Sequence, residues 1–274
     1  MTNDQRQTTN NERPVALVTG ASSGIGLQYA TQLARDYHYD LLLVSNQQQE
    51  LDQVAKDLAA QYGVRTYPLY MDLSLSDAAE QVYQYCQEQH LFVEVLINNA
   101  GMLIFDAFCS VPMARIETLL MLHVLTATKL CRLFAPQMCE RQHGFILNMS
   151  SMSAWMAMPS IVCYNASKSY LLNFSRALWY ELLPQGVHVL AVTPGSTDTG
   201  LLPFGPGFAR FLRRLGITMP PERLVHRALR HLFYSRRKRS MPGAWNHLIV
   251  PIINHLPDWL VFAAMRRIPM FHGQ

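Results

Sequence analysis

A serine, a tyrosine and a lysine in the middle of the chain have types and spacing suited to proton transfer. Ser151 follows an apolar run, Tyr164 comes thirteen residues later, and Lys168 stands four residues beyond the tyrosine. Residues four apart share one helix face, so the phenol and the ammonium can point into the same cleft. A nearby cation favours the phenolate and lowers the pKa of a tyrosine, which can then exchange a proton with an alcohol or ketone. The Ser151 hydroxyl can hold the substrate oxygen. A lone Tyr-x-x-x-Lys also occurs on solvated helix faces, so this interpretation depends on the rest of the chain.

A glycine-rich loop lies near the amino terminus, where an apolar run gives way to helical periodicity. Glycines there allow a tight turn and a close approach to a pyrophosphate, and the following helix offers free N–H groups and a positive dipole. An ordinary glycine turn has the same residues, but this one stands between a strand and a helix, as phosphate binding requires. The predicted phosphate-loop residues are Gly20, Ser22, Ser23, Gly24, Ile25 and Gly26.

Strands and helices that would position these residues alternate along most of the chain. The predicted strands are 15–19, 41–44, 65–70, 93–97, 144–149 and 187–193, and the predicted helices are 24–37, 51–61, 78–89, 113–132 and 164–183. Continuously apolar strands that alternate with helices favour a parallel sheet covered on both faces. We predict an α/β fold, a single doubly wound Rossmann-type parallel sheet of about seven strands with helices on both faces.

The domain organisation follows from the same pattern. Residues 1–13 are polar and predict a disordered tail, and residues 14–274 predict one domain. Within that domain we expect residues of about 199–218 to form a substrate lid and residues 241–274 to form a C-terminal extension broken by prolines.

In combination, these motifs resemble those of the short-chain dehydrogenase/reductase family. The resemblance runs in family order from residue 14 to about 200 and is carried by Thr19–Gly26, Asp72, Asn98-Asn99-Ala100-Gly101, Ser151, Tyr164, Lys168, Pro194-Gly195 and Thr199. It implies a nicotinamide cofactor. It also implies that Asp72 and Leu73 lie against the adenine and that Lys168 holds the nicotinamide ribose. The other cofactor residues that it implies are Asn99, Ala100, Gly101, Pro194, Gly195, Thr197 and Thr199.

One position departs from the family pattern. The family has an asparagine in the helix before the serine strand, and this asparagine anchors a water that relays protons to the lysine; His123 stands at that place here. Imidazole can donate and accept protons and titrates near neutrality, so His123 could serve in the relay. Alternatively, His123 packs in the helix interface and the relay is weakened. The sequence leaves both open.

Cofactor choice depends on the residues after the second predicted strand. An acid at Ser45 would bind a free 2′-hydroxyl and repel a phosphate, and an arginine at Asn46 would pair with a 2′-phosphate. Neither is present. Because no carboxylate excludes the phosphate and both side chains can donate hydrogen bonds, the sequence favours NADP(H) slightly over NAD(H).

The family resemblance implies that two segments form the substrate pocket, one after Ser151 and one after Pro194-Gly195, and both are apolar here. Neither carries a charge, and methionine side chains adapt to irregular shapes. The predicted substrate residues are Met152, Trp155, Met158 and Phe204. We therefore expect a lipophilic ketone or secondary alcohol, such as a steroid, a 3-ketoacyl compound or a sphingoid ketone. The alternative is that these side chains only pack the lid.

The C-terminal segment places a basic cluster, 236–239, before short aromatic-rich pieces. Such a segment can dock peripherally on an anionic membrane, or it can cover the pocket or an oligomer interface. Family resemblance suggests a homodimer or homotetramer built on the helices of 113–132 and 164–183. We expect a cytoplasmic protein, with possible contact at the inner face of a membrane.

Composition excludes several other classes. Charged residues make up 15% of the chain and apolar residues 50%, which argues against a disordered chain or a coiled coil. A net charge of +4 is too small to indicate nucleic-acid binding. The five cysteines form no Cys-x-x-Cys pair, so we expect no metal site. An oxidoreductase is the favoured function, and a nucleotide-binding sensor or scaffold without turnover is the alternative.

Overall fold

The fold is built on one parallel sheet of seven strands. The computed structural model describes residues 13–195, 219–243, 250–252 and 255–267. The strands are β1 (Val15–Thr19), β2 (Asp40–Ser45), β3 (Thr66–Tyr70), β4 (Val93–Asn98), β5 (Gly144–Met149), β6 (Val187–Val192) and β7 (Arg239–Ser240). They lie in the order β3-β2-β1-β4-β5-β6-β7. The predicted α/β class and doubly wound sheet are confirmed.

Helices cover both faces of this sheet. They are α1 (Gly24–Tyr37), α2 (Gln48–Tyr62), α3 (Ala78–Glu88), α4 (Met113–Leu120), α5 (Ala127–Glu140), α6 (Val162–Leu182), α7 (Pro221–Tyr234) and α8 (Asp258–Arg267). Short 3₁₀ helices span Phe108–Ser110, Met152–Trp155 and Leu183–Gln185. Every residue of β1, β2, β4 and β6 is buried, which explains why these strands are continuous apolar runs.

The core has a layer on each side of the sheet. Leu33 of α1, Leu51 of α2 and Leu229 of α7 belong to one layer. Val82 of α3 and Phe134 of α5 belong to the other. The central strands are thus covered on both faces, and the loops that follow them leave the carboxyl ends of these strands.

The predicted helix of 113–132 differs from the observed one in two ways. A π-helical segment, Met121–Thr126, joins α4 to α5, and α5 continues through Pro136 to Glu140. Proline removes one helical hydrogen bond, but the helix keeps its course because Phe134 and Met138 are buried against the sheet. By length and composition alone, Met113–Glu140 could also cross a membrane; here it carries core side chains, and a core helix passes the same test.

The winding of the sheet reverses between its two central strands. β1 leads outward to β2 and β3, whereas β4 leads the other way to β5, β6 and β7. In open parallel sheets a crevice forms at this point, at the carboxyl ends of the strands. The predicted lid, 199–218, lies outside the described residues. So do the predicted tail, except for Arg13, and parts of the predicted C-terminal extension, 241–274.

Candidate active site

The glycine loop after β1 is held in place by Thr19 and Asn99. The Thr19 hydroxyl accepts hydrogen bonds from the backbone N–H groups of Asn99 (2.9 Å) and Ala100 (3.0 Å). The Asn99 side-chain amide donates to the carbonyls of Thr19 (3.0 Å) and Gly20 (3.4 Å). The ends of β1 and β4 are thus tied together, and the loop is anchored at the floor of the crevice.

Two glycines of the loop are required for different structural reasons, a close backbone contact at Gly26 and a positive φ at Gly24. A β-carbon on Gly26 would lie 1.9 Å from the carbonyl oxygen of Gly20, so the first turn of α1 packs directly on the loop backbone. Gly24 has φ +55°, and a β-carbon there would meet nothing within 4 Å. Ser23 precedes α1 without a side-chain cap, which leaves the first N–H groups of the helix available to an anion. This loop fits a pyrophosphate.

The candidate catalytic residues come from the end of β5 and the start of α6. Ser151 has an extended backbone two residues after β5, and its Oγ accepts a hydrogen bond from the Ser153 N–H at 3.1 Å. Tyr164 and Lys168 lie in the first two turns of α6. The Lys168 Nζ donates to the Met149 carbonyl at 2.9 Å and lies 5.5 Å from the centroid of the Tyr164 ring. The three side chains meet along one wall of the crevice.

The electrostatics of this pair differ from the sequence-based expectation. Burial raises the pKa of Tyr164 above its ordinary value, and the hydrogen bond with Ser151 only partly opposes this effect. Lys168 is 5% exposed, and burial lowers the pKa of its ammonium to about 7. The expected lowering of the tyrosine pKa is therefore wrong for the protein without ligands. Desolvation is the dominant influence on this tyrosine, and the amine that was expected to lower its pKa is itself buried and readily loses its charge.

His123 lies in the π-helical segment and points toward the same wall. It is 1% exposed. Its Nε2 accepts a hydrogen bond from the Met102 N–H at 3.0 Å, and its Nδ1 lies 2.9 Å from the Ser167 hydroxyl. Burial, and then the charge of Lys168, hold the pKa of His123 well below its usual range.

One cavity of about 820 Å³ joins the phosphate loop to these side chains. Nearly every predicted site residue within the described ranges lines it; the two exceptions are Gly26 and Trp155. Gly26 instead packs against the backbone of Gly20 and the side chain of Asn99. Thr197, Thr199 and Phe204 lie outside the described residues.

Trp155 does not line the cavity, although Met152 and Ser153 of the same 3₁₀ helix do. Its ring packs with the buried side chains of Leu172 and Ala191. The guanidinium of Arg239 lies 5.2 Å from the ring centroid, close enough for a cation–π contact. The predicted substrate role of Trp155 is not supported by this placement, which ties β7 to the segment that carries Ser151.

Several apolar residues that were not predicted individually line the end of the cavity near Tyr164. Met102, Leu103 and Phe105 come from the loop after β4, and Ile161 comes from the loop before α6. Met156 also lines the cavity and lies in the segment after Ser151 that was expected to form the pocket. The two loops are joined by a hydrogen bond from the Asp106 N–H to the Ser160 carbonyl (2.9 Å). A signal was present, because an apolar run directly after a strand end is unusual for a solvated loop.

The opposite end of the cavity is polar and has few charges. Ser22 donates to the Gln47 side-chain oxygen at 2.7 Å, and its hydroxyl also lies 2.8 Å from that of Ser45. Asp72 accepts hydrogen bonds from the N–H and the hydroxyl of Ser74. Across the described ranges, no group of three or more histidine, cysteine, aspartate or glutamate side chains could hold a metal ion.

Comparisons with known proteins agree with this architecture. The family model of the short chain dehydrogenases matches residues 14–203. The chain therefore belongs to the short-chain dehydrogenase family.

Three similar proteins illustrate the range of the family. A very-long-chain 3-oxoacyl-CoA reductase of Bos taurus is 31% identical over 262 residues, which are 94% of this chain and 79% of that protein. Inactive hydroxysteroid dehydrogenase-like protein 1 of Homo sapiens is 31% identical over 251 residues, covering 89% of this chain and 73% of that one. The structure of a short-chain dehydrogenase from Sphingobium yanoikuyae in complex with NADPH superposes with a TM-score of 0.75 at 31% identity, over 93% of this chain and 96% of that chain.

Proposed function

We propose that this protein is a nicotinamide-dependent oxidoreductase that interconverts a lipophilic ketone and the corresponding secondary alcohol. The observation that carries the proposal is the single cavity that begins at the phosphate loop and ends at Ser151, Tyr164 and Lys168. A dinucleotide bound along this cavity would have its pyrophosphate at the loop and its far ring beside the tyrosine.

The residues of the cavity fit such a cofactor. The glycine loop, the uncapped start of α1 and the open space above Gly24 suit a pyrophosphate. Asp72 and Leu73 would border the adenine, and Lys168 would hold the nicotinamide ribose. When bound, the nicotinamide supplies or accepts the hydride.

The chain's own side chains handle the proton and the substrate oxygen. Because burial raises the pKa of Tyr164, this residue is a phenol at neutral pH and can act as general acid toward a carbonyl. In the reverse direction, its conjugate base would take the proton from an alcohol. Ser151 orients the substrate oxygen, and Lys168, when protonated, stabilises the charge that develops on Tyr164.

NADP(H) is the cofactor we favour over NAD(H). Ser22, Ser45, Asn46 and Gln47 surround the place where the adenosine ribose would lie, and none of them carries the negative charge that would repel a 2′-phosphate. The related structure from Sphingobium yanoikuyae contains NADPH. All four side chains are neutral, so we expect the discrimination between the two cofactors to be modest.

The substrate is expected to be large and apolar. Met102, Phe105, Met156, Met158 and Ile161 line the end of the cavity near Tyr164, and methionine-rich walls adapt to bulky apolar groups. A very-long-chain 3-oxoacyl-CoA reductase is among the similar proteins. We therefore place 3-oxoacyl thioesters first among the substrate classes, followed by steroids and sphingoid ketones.

The second candidate function is nucleotide binding without turnover. It is supported by the similarity to the human protein named inactive hydroxysteroid dehydrogenase-like protein 1. The presence of Ser151, Tyr164 and Lys168 around one cavity favours the enzyme.

We further propose a cytoplasmic homo-oligomer. Leu120 and Leu125 of the α4–α5 stretch and Tyr170 of α6 are 39%, 48% and 40% exposed, an apolar surface that a second copy would cover. In the C-terminal extension Trp259 and Phe262 are 67% and 59% exposed, which suits either such an interface or a membrane surface. Co-sedimentation with anionic liposomes separates these two roles of the extension.

A coupled assay tests the function directly. Purified protein is mixed with NADPH or NADH and a panel of 3-oxoacyl thioesters, steroid ketones and sphingoid ketones, and nucleotide oxidation is followed. Turnover of one class, faster with NADPH, is expected. Nucleotide binding without turnover of any panel member would favour the second candidate, and absence of nucleotide binding would contradict both.

A further inference from the structure

We propose that His123 is a positioning residue: its imidazole, neutral and fixed as one tautomer, joins the loop after β4 to the helix that carries Tyr164 and Lys168. The inference rests on the proposed function, since it concerns how these two residues are aligned for catalysis. It differs from the two interpretations that the sequence leaves open, the proton relay and the residue packed in the helix interface.

The hydrogen bonds of His123 define its protonation. The Met102 N–H can only donate, so Nε2, 3.0 Å away, must accept and carries no proton. The neutral ring then carries its proton on Nδ1, which donates to the Ser167 hydroxyl at 2.9 Å. Ser167 in turn donates to the Tyr164 carbonyl at 2.8 Å. These three bonds have one consistent direction, from the backbone of the loop to the first turn of α6.

The imidazole is also fixed by contact with the loop. A β-carbon on Gly101 would lie 2.8 Å from His123 Nε2 and 3.6 Å from Lys168 Nζ, so the ring and the amine both pack against this glycine. The rings of His123 and Tyr164 lie edge to face, with centroids 5.7 Å apart. His123 therefore borders both Tyr164 and Lys168.

These same contacts argue against a proton relay through the ring. Both ring nitrogens already have partners, and protonation of Nε2 would break the bond to Met102. A second proton would also place a cation in a buried site beside Lys168, and burial, followed by the charge of Lys168, lowers the pKa of His123. A side chain that stays neutral throughout the working range holds geometry without exchanging protons.

Two substitutions separate the hydrogen bonds of His123 from its bulk. His123→Gln retains one acceptor and one donor, whereas His123→Phe retains the ring shape and leaves the Met102 N–H without a partner. We expect His123→Phe to lower kcat by about 10²-fold, because small displacements of catalytic groups cost rates of this order. His123→Gln should restore most of kcat, and the pH–rate profile of this variant should match that of the native protein.

A matched control lies on the same helical stretch. Thr128 donates to the Val124 carbonyl and contacts Tyr170 on the outer face. Thr128→Val removes comparable hydrogen bonds away from the cavity and should leave kcat unchanged.

A spectroscopic measurement tests the tautomer without any turnover. In protein labelled with ¹⁵N-histidine, the imidazole resonances that disappear in His123→Gln should report a ring protonated at Nδ1 alone from about pH 5 to 8, the range in which an ordinary histidine titrates. Titration of this ring near neutrality, a shifted pH–rate limb in His123→Gln, or native kcat in His123→Phe would overturn the inference. If the native protein turned over no substrate, the proposed function would fail, while the ¹⁵N measurement would still decide the tautomer.

Discussion

Lys168 carries a large electrostatic cost in the cleft. Its amine is buried beside the Met149 carbonyl, and its pKa falls to about 7 from an ordinary value of 10.5. Above pH 7 the folded protein leaves this amine neutral, whereas the unfolded chain keeps it protonated until the pH approaches 10.5. Because the unfolded state then binds more protons, stability rises with pH over this window.

The cost of burying the Lys168 ammonium can be tested with Lys168→Met, which removes the charge of the side chain and keeps most of its volume. We expect the variant to have the higher free energy of unfolding below pH 7, and its advantage over the native protein to shrink as the pH rises toward 10. Urea denaturation of both proteins across this range measures the difference. A gap that is constant or that widens with pH would show that the amine is not desolvated.

Gly101 offers a second test at the same scale. Its φ is not in the left-handed region, so alanine is excluded only by the neighbouring His123 Nε2. Gly101→Ala should cost about 1–3 kcal/mol, as overpacking does. The cost should be smaller in a His123→Asn background, because the shorter side chain leaves room for the methyl group. Chemical denaturation of the two single variants and the double variant gives the coupling, and strict additivity would contradict this packing.

At the scale of the residue, the sequence predicted which groups meet but not their electrostatics. The spacing of Tyr164 and Lys168 on one helix face was sufficient to bring both to the cavity. The direction of the tyrosine pKa shift was wrong, because the depth of burial depends on loops from elsewhere in the chain. One partner of His123 is the backbone N–H of Met102, and a backbone group cannot be predicted as a partner from residue types.

Among the elements, the phosphate loop carries the sharpest structural requirement. A β-carbon on Gly26 would meet the backbone of Gly20, whereas one on Gly24 would enter open space at a positive φ. Gly24→Ala should therefore cost about 1–2 kcal/mol of strain. Gly26→Ala should cost more and should also weaken NADPH binding, because the loop backbone must move. Denaturation and NADPH fluorescence titration compare the two variants, and the reverse order would contradict the observed packing.

The helices and strands themselves were largely predictable, because buried strands leave continuous apolar runs and the helices between them leave amphipathic patterns. The π-helical segment Met121–Thr126 was not predictable, since its residues also suit an ordinary helix. Trp155 was predicted to contact the substrate. Its packing with Leu172 and Ala191 and its contact with Arg239 could not be predicted from the local sequence, because these partners are distant along the chain.

For the whole molecule, the apolar surface of the α4–α5 stretch and α6 predicts self-association. Leu125→Glu places a charge in this surface and should lower the oligomeric state, because burying an unpaired carboxylate is costly. Light scattering after size-exclusion chromatography measures the mass. Tyr234→Glu, at a side chain of α7 that is 76% exposed, is the control and should leave the mass unchanged. A native protein that is monomeric, or a Leu125→Glu variant that keeps its oligomeric mass, would contradict this interface.

We propose that Tyr164 donates and accepts the proton in a cavity that also binds the nicotinamide cofactor. The most direct test measures NADPH binding and single-turnover oxidation of bound NADPH by the best ketone, in the native protein and in Tyr164→Phe. We predict nearly unchanged NADPH affinity and a loss of about 10²–10⁴-fold in the single-turnover rate, the usual contribution of a general acid. Unchanged turnover in the variant, or loss of NADPH binding together with turnover, would contradict the assignment of Tyr164 as the proton donor.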